Sequence, residues 1–63
     1  MKEIRTNSDL IRVFQEQISI QIWYDGELSD TGPIQQLGLR AIKVNDMHYV
    51  KRQCQFFIVE EAR

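Results

Sequence analysis

Few residues in this chain could do chemistry. It holds one histidine, His48, and one cysteine, Cys54. A thiol and an imidazole form a nucleophilic pair only when the fold brings them within hydrogen-bond reach and a third group orients the base. No glycine-rich nucleophile turn accompanies them. Cys54 therefore reads as a small, partly buried thiol and His48 as a strand residue facing solvent. A lone Cys cannot form an internal disulfide, and with a lone His it cannot complete a zinc site from one chain. Asp25, Glu27 and Asp30 put carboxylates close together, but not at the spacing of a calcium loop. Gly26, Gly32 and Gly38 are too far apart to cradle a phosphate. The expectation is a non-enzymatic protein with no catalytic residue, metal, cofactor or small-molecule substrate.

Two sets of residues have the character of binding surfaces. Tyr49 stands among Arg40, Lys43, His48, Lys51 and Arg52. An aromatic platform flanked by cations is how small β-domains hold single-stranded nucleic acid. The alternative is that Tyr49 packs within a hairpin and the cations keep that face solvated. The second set is apolar. Trp23 shares a strand face with Ser19 and Gln21, either as an exposed anchor for a partner or packed under an N-terminal helix near Phe14. Phe56, Phe57, Ile58 and Val59 are consecutive apolar residues, and a strand apolar on both faces is covered on both. Its outer face calls for the helix or a second subunit. Trp23, Phe56, Phe57 and Ile58 are the expected contacts with a protein partner or another copy of the chain.

The pattern of apolar residues predicts the elements that position these groups. Residues 6–17 read as a short helix. Thr6 with Asp9 offers a capping box, and Leu10, Val13 and Phe14 share one face. Residues 18–24 alternate as a half-buried strand with Ile18, Ile20, Ile22 and Tyr24 on one side. Asp25-Gly26 is a two-residue hairpin turn. The return strand, 27–37, is broken at Gly32-Pro33, where proline withdraws a ladder donor and marks an edge or bend. Strands at 39–44 and 47–51 flank the turn Asn45-Asp46. A last strand covers 56–60, and the tail is expected to fray.

The chain has 63 residues and a formal charge of −1. That length allows one domain, 1–63, and a domain so small buries only roughly 60% of the surface of its unfolded chain. Without disulfides or metal, its stability must come from packing or self-association. The near-zero charge gives no overall attraction to nucleic acid or to an anionic membrane. Its distribution is uneven, with Glu16, Asp25, Glu27 and Asp30 in one stretch and Arg40, Lys43, Lys51 and Arg52 in a later one. The opening MKEIRTNSDL lacks an apolar signal segment, no stretch is long enough to span a bilayer, and the unpaired Cys fits a reducing compartment. A cytoplasmic location is expected.

One helix followed by five short strands is mainly β, and closure into a strongly bent, antiparallel small barrel removes exposed strand edges. The order resembles the Sm-like fold from Ile18 to Val59. An apolar strand leads into Tyr24-Asp25-Gly26. The segment PIQQLGLRAIKV follows, where that family has a bent strand, then MHYVKRQ, similar to the Tyr-Lys-His region of the bacterial Sm-like RNA chaperones. FFIV stands at the place of the closing strand. SH3-like barrels, including the YolD-like proteins, share the pattern. The chain has Gly38 where Sm-like proteins carry an Asp, and Val50 separates Tyr49 from Lys51. The Sm-like resemblance implies RNA binding by Arg40, Lys43, His48, Tyr49, Lys51 and Arg52.

Overall fold

The computed structural model describes residues 1–59. It comprises β1 (Lys2–Ile4), α1 (Asn7–Gln15), β2 (Ile20–Tyr24), β3 (Glu27–Gly32), β4 (Gln36–Leu37), β5 (Ala41–Val44), β6 (Met47–Val50) and β7 (Cys54–Ile58). The chain is mainly β with one short helix, as the alternation predicts. The strands form two antiparallel sheets, ordered β1-β7-β2-β3 and β4-β5-β6. The described strands do not join into one closed ladder. Two further details differ from expectation. Lys2–Ile4 is an additional strand, paired with β7. The long return strand is two strands, because Pro33 has no N–H to continue the ladder. The expected end of the last strand, at residue 60, lies outside the described residues.

Local chemistry sets each boundary. The Thr6 hydroxyl accepts the Asp9 N–H at 3.2 Å and caps α1. Gln17 ends the helix at φ 52°. Its N–H reaches Phe14 O at 3.2 Å, and Ile18 N–H reaches Val13 O at 3.0 Å. Both bonds satisfy carbonyls orphaned at the helix end. Asp25 and Gly26 have φ of 53° and 78°, and Asn45 and Asp46 have 51° and 65°. Left-handed pairs of this kind match the twist of the strands they join.

Both sheets turn their apolar sides into a single core. Ile20 and Ile22 from β2, Phe56 from β7 and Ile4 from β1 meet Ile42 and Val44 from β5. Ile34, between the sheets, and Leu10 and Val13 of α1 complete it. A helix this short gains its stability from docking rather than propensity. Gln17 ties its end to the β3–β4 bend by donating from Nε2 to Ile34 O at 3.1 Å.

Gly38 is required by a close approach. Its N–H donates to Ala41 O at 2.9 Å, and a Cβ at this position would stand 2.8 Å from the same oxygen. Backbone must move to admit a side chain. Gly38→Ala is expected to cost about 1–3 kcal/mol, which lowers the melting temperature by at least about 4 °C. Thermal unfolding followed by circular dichroism checks this, and an unchanged midpoint would show that the turn yields freely.

Candidate functional site

The residues of the four-stranded sheet alternate between core and exterior. Ile20 and Ile22 are fully buried, so Gln21 and Trp23 face outward. On β7, Phe56 is buried at 3% exposure, and Phe57 is half-buried on the other face. The pairing of Gln21 with Phe57 and of Trp23 with Gln55 makes Trp23 and Phe57 diagonal neighbours. Their rings meet edge to face, with centroids 6.4 Å apart and planes at 79°. The indole N–H donates to Gln21 Oε1 at 3.1 Å, which fixes the ring.

A β-bulge brings a third apolar residue to this face. β3 pairs Asp30 with Ile22 and then Leu28 with Trp23, leaving Ser29 as the extra residue. Leu28 and Asp30 would otherwise point the same way. The bulge turns Leu28 outward beside Trp23, 49% exposed, and leaves Asp30 on the core side. The outward strip is therefore Trp23, Phe57 and Leu28, bordered by Gln21, Gln55 and Thr31.

Several expected site residues fall elsewhere. Phe56 is a core residue and cannot meet a partner. Ile58 packs half-buried against the same core. Trp23 does not lie under the helix, because Phe14 packs on the core side of the sheet. The apolar run from Phe56 is covered only in part within one chain: Phe56 and Ile58 face the core, Phe57 is half-buried against Trp23, and Val59 is exposed. Leu28 escaped notice because a bulge leaves no mark in an alternating pattern.

The basic and aromatic set is divided. Lys43 pairs with His48 on the outer face of the second sheet. Tyr49 pairs with Ile42 on the core side, and its hydroxyl donates to Asp30 Oδ2 at 2.7 Å. Asn45 Nδ2 and the Thr31 N–H donate to Asp30 Oδ1 at 2.7 and 2.8 Å. Asn45 also donates to Thr31 O at 3.1 Å. Asp30 thus joins the sheets, and Tyr49 is no platform among the cations. Lys51 Nζ is turned toward Leu39 O at 3.1 Å and Asn7 Oδ1 at 3.4 Å. Arg40, Lys43 and His48 line one shallow depression, and Arg40 and Arg52 line another with Val50 and Gln53.

Hydrogen bonding shifts both members of the junction. The Tyr49 hydroxyl, followed by Asn45 and the Thr31 N–H, holds the Asp30 carboxyl below its ordinary value. The Asp30 carboxylate pushes Tyr49 up to about 12. A raised tyrosine contributes stability that is complete below about pH 10 and is lost as pH rises through about 12. The lowered Asp30 contributes above its unfolded value, and that share is lost as pH falls through its depressed one. In a Tyr24→Phe chain, the phenolate absorbance of Tyr49 is expected near pH 12. Tyr49→Phe should cost about 1 kcal/mol, at the low end because both groups are partly solvated. A titration at the ordinary tyrosine value would mean that the junction is open in solution.

Burial raises the Cys54 thiol above its ordinary value, which makes it a poor nucleophile. His48 is exposed on the other sheet. Among the described residues, no three of His, Cys, Asp and Glu gather as metal ligands. No described helix is long and apolar enough to cross a membrane. Comparison with protein-family models, curated proteins and solved structures returns no match.

Proposed function

We propose that this protein is a non-enzymatic interaction module that works through protein–protein contacts and associates with itself. The observation that carries this is the outward strip of Trp23, Phe57 and Leu28. A tryptophan fixed by a hydrogen bond and an aromatic neighbour loses little freedom on binding, which is what an interface anchor requires. A second copy offers the same strip across a two-fold axis, apolar at its centre and ringed by amides and a hydroxyl. Molar mass against concentration, with Trp23→Ala as the comparison, tests this. A wild-type mass that does not move would end the self-association reading.

We also infer a partly open small barrel of the Sm-like or SH3-like kind. β3 and β4 are two arms of one bent path through Gly32-Pro33, and both sheets line one core. The single-stranded RNA reading draws support from Arg40, Lys43, His48 and Arg52 on one face. It needs an aromatic platform among them, and Tyr49 is held at Asp30 instead. The protein-binding reading is better supported, in a cytoplasmic setting that suits an unpaired, unreactive Cys54.

A further inference from the structure

The three-stranded sheet has an open edge beside its cations. Among the described strands, β6 has β5 as its one neighbour. The Lys51 N–H donates to Arg40 O at 2.9 Å, and this fixes the phase of the ladder. In an antiparallel pair, alternate residues bond to the neighbour. Met47 and Tyr49 therefore turn their backbone groups toward β5, and His48 and Val50 turn theirs away. Val50 O accepts the Gln53 N–H at 3.0 Å. Among the described residues, that leaves the His48 N–H, the His48 C=O and the Val50 N–H at the edge.

Among the described residues, the charged side chains that line the depressions beside this edge are cations, and Asp46, in the turn before β6, is bonded to Gln35. His48 stands across from Lys43. Arg40 and Lys43 line the depression next to His48, about 440 Å³ in volume. Arg40 and Arg52 line the adjoining one next to Val50. Among the described residues, no carboxylate lines either. The ion pairs among the described residues are elsewhere, at Arg5–Glu3 and Arg12–Glu16.

We propose that this edge binds an extended acidic segment of a partner protein, which adds to β6 as a further strand. Main-chain bonds to His48 and Val50 would hold it, as in other strand additions. Successive side chains of a strand alternate between faces. Acidic residues at every second position therefore fall on the outer face, beside Lys43, Arg40 and Arg52. The intervening positions lie beside exposed Met47 and suit β-branched residues. A nucleic-acid strand could use the cations but not the edge donors and acceptor in strand register, and the one ring that the described residues offer its bases on this face is the His48 imidazole. The proposal rests on the reading of the chain as a protein-binding module, not on its self-association.

The test is a titration of the isotope-labelled full chain with a capped peptide of alternating Glu and Val, followed by amide NMR. It is repeated on Trp23→Ala, so that failure of self-association and failure of this site are read separately. The His48 and Val50 amides are expected to shift and to exchange more slowly with solvent. Lys43→Glu with Arg52→Glu should weaken binding roughly tenfold, since each change turns an attraction into a repulsion. Val50→Pro removes the edge N–H but keeps every cation, and should weaken binding as well. Should that variant fail to fold, the slowed exchange at His48 and Val50 in the wild type decides alone. A peptide with Lys in place of Glu should not bind. Unmoved His48 and Val50 amides overturn the proposal. So does an oligouridylate that binds through the same cations more tightly than the peptide. Movement of these amides with protein concentration alone would assign the edge to a second copy instead.

Discussion

Phe56→Ala is expected to unfold the chain, whereas Phe57→Ala leaves it folded. The two residues are adjacent in sequence, and their surroundings are opposite. Phe56 is 3% exposed and packs with Ile4, Ile20 and Ile22 in the core. Truncating a buried phenylalanine removes its transfer free energy and leaves a cavity, together about 3–5 kcal/mol. A domain of this length has a total stability of roughly 3–9 kcal/mol. The loss is of the same order as the whole. Phe57 is half-buried on the outer face, and its principal ring contact is Trp23. Losing that contact costs about 1 kcal/mol. Circular dichroism melts of both variants check this. Equal losses would mean that the last strand is not fixed in the register that buries Phe56.

Trp23→Ala is expected to leave the fold intact and to weaken self-association by at least about thirtyfold. The indole touches Phe57 and Gln21 and is not part of the core. Its removal costs the sheet about as much as Phe57→Ala. At an interface the same side chain is the central anchor, and the fully covered aromatic residues of an interface carry most of its energy. The strip holds no charge, so association should change little with salt. A contact through Arg40, Lys43 and Arg52 would instead weaken steeply, by screening for protein or counterion release for nucleic acid. Sedimentation equilibrium of wild type and variant at low and high salt separates the two. Retained association in Trp23→Ala would place the interface elsewhere.

The elements were legible because their signals are local. Thr6 with Asp9 marked the helix start, and Asp25-Gly26 and Asn45-Asp46 marked the hairpins. The alternation of Ile20, Ile22 and Trp23 gave the correct faces. The break at Gly32-Pro33 was legible as a bend, but not as the boundary between two sheets, which depends on which strands find partners. Lys2–Ile4 was missed because three residues carry no periodicity. The site was legible only in part. Trp23 is on the outer face, one of the two places its alternation left open, and Phe57 joins it there through the register of β7 with β2. Phe56 is not, because a run of four apolar residues does not say which members face inward. Tyr49 and Lys43 are one register position apart on neighbouring strands, where Tyr49 pairs with Ile42 and Lys43 with His48, and this puts them on opposite faces. The Asp30 junction depends on a bulge at Ser29 and on contact between sheets, neither of which leaves a trace in the order of residues.

The most direct measurement is the molar mass of the wild-type chain by light scattering, over roughly three decades of concentration. The account predicts a mass that rises from one chain toward two as concentration increases, is insensitive to salt, and stays at one chain for Trp23→Ala. A wild-type mass of one chain throughout, or a larger assembly that Trp23→Ala leaves unchanged, would contradict it.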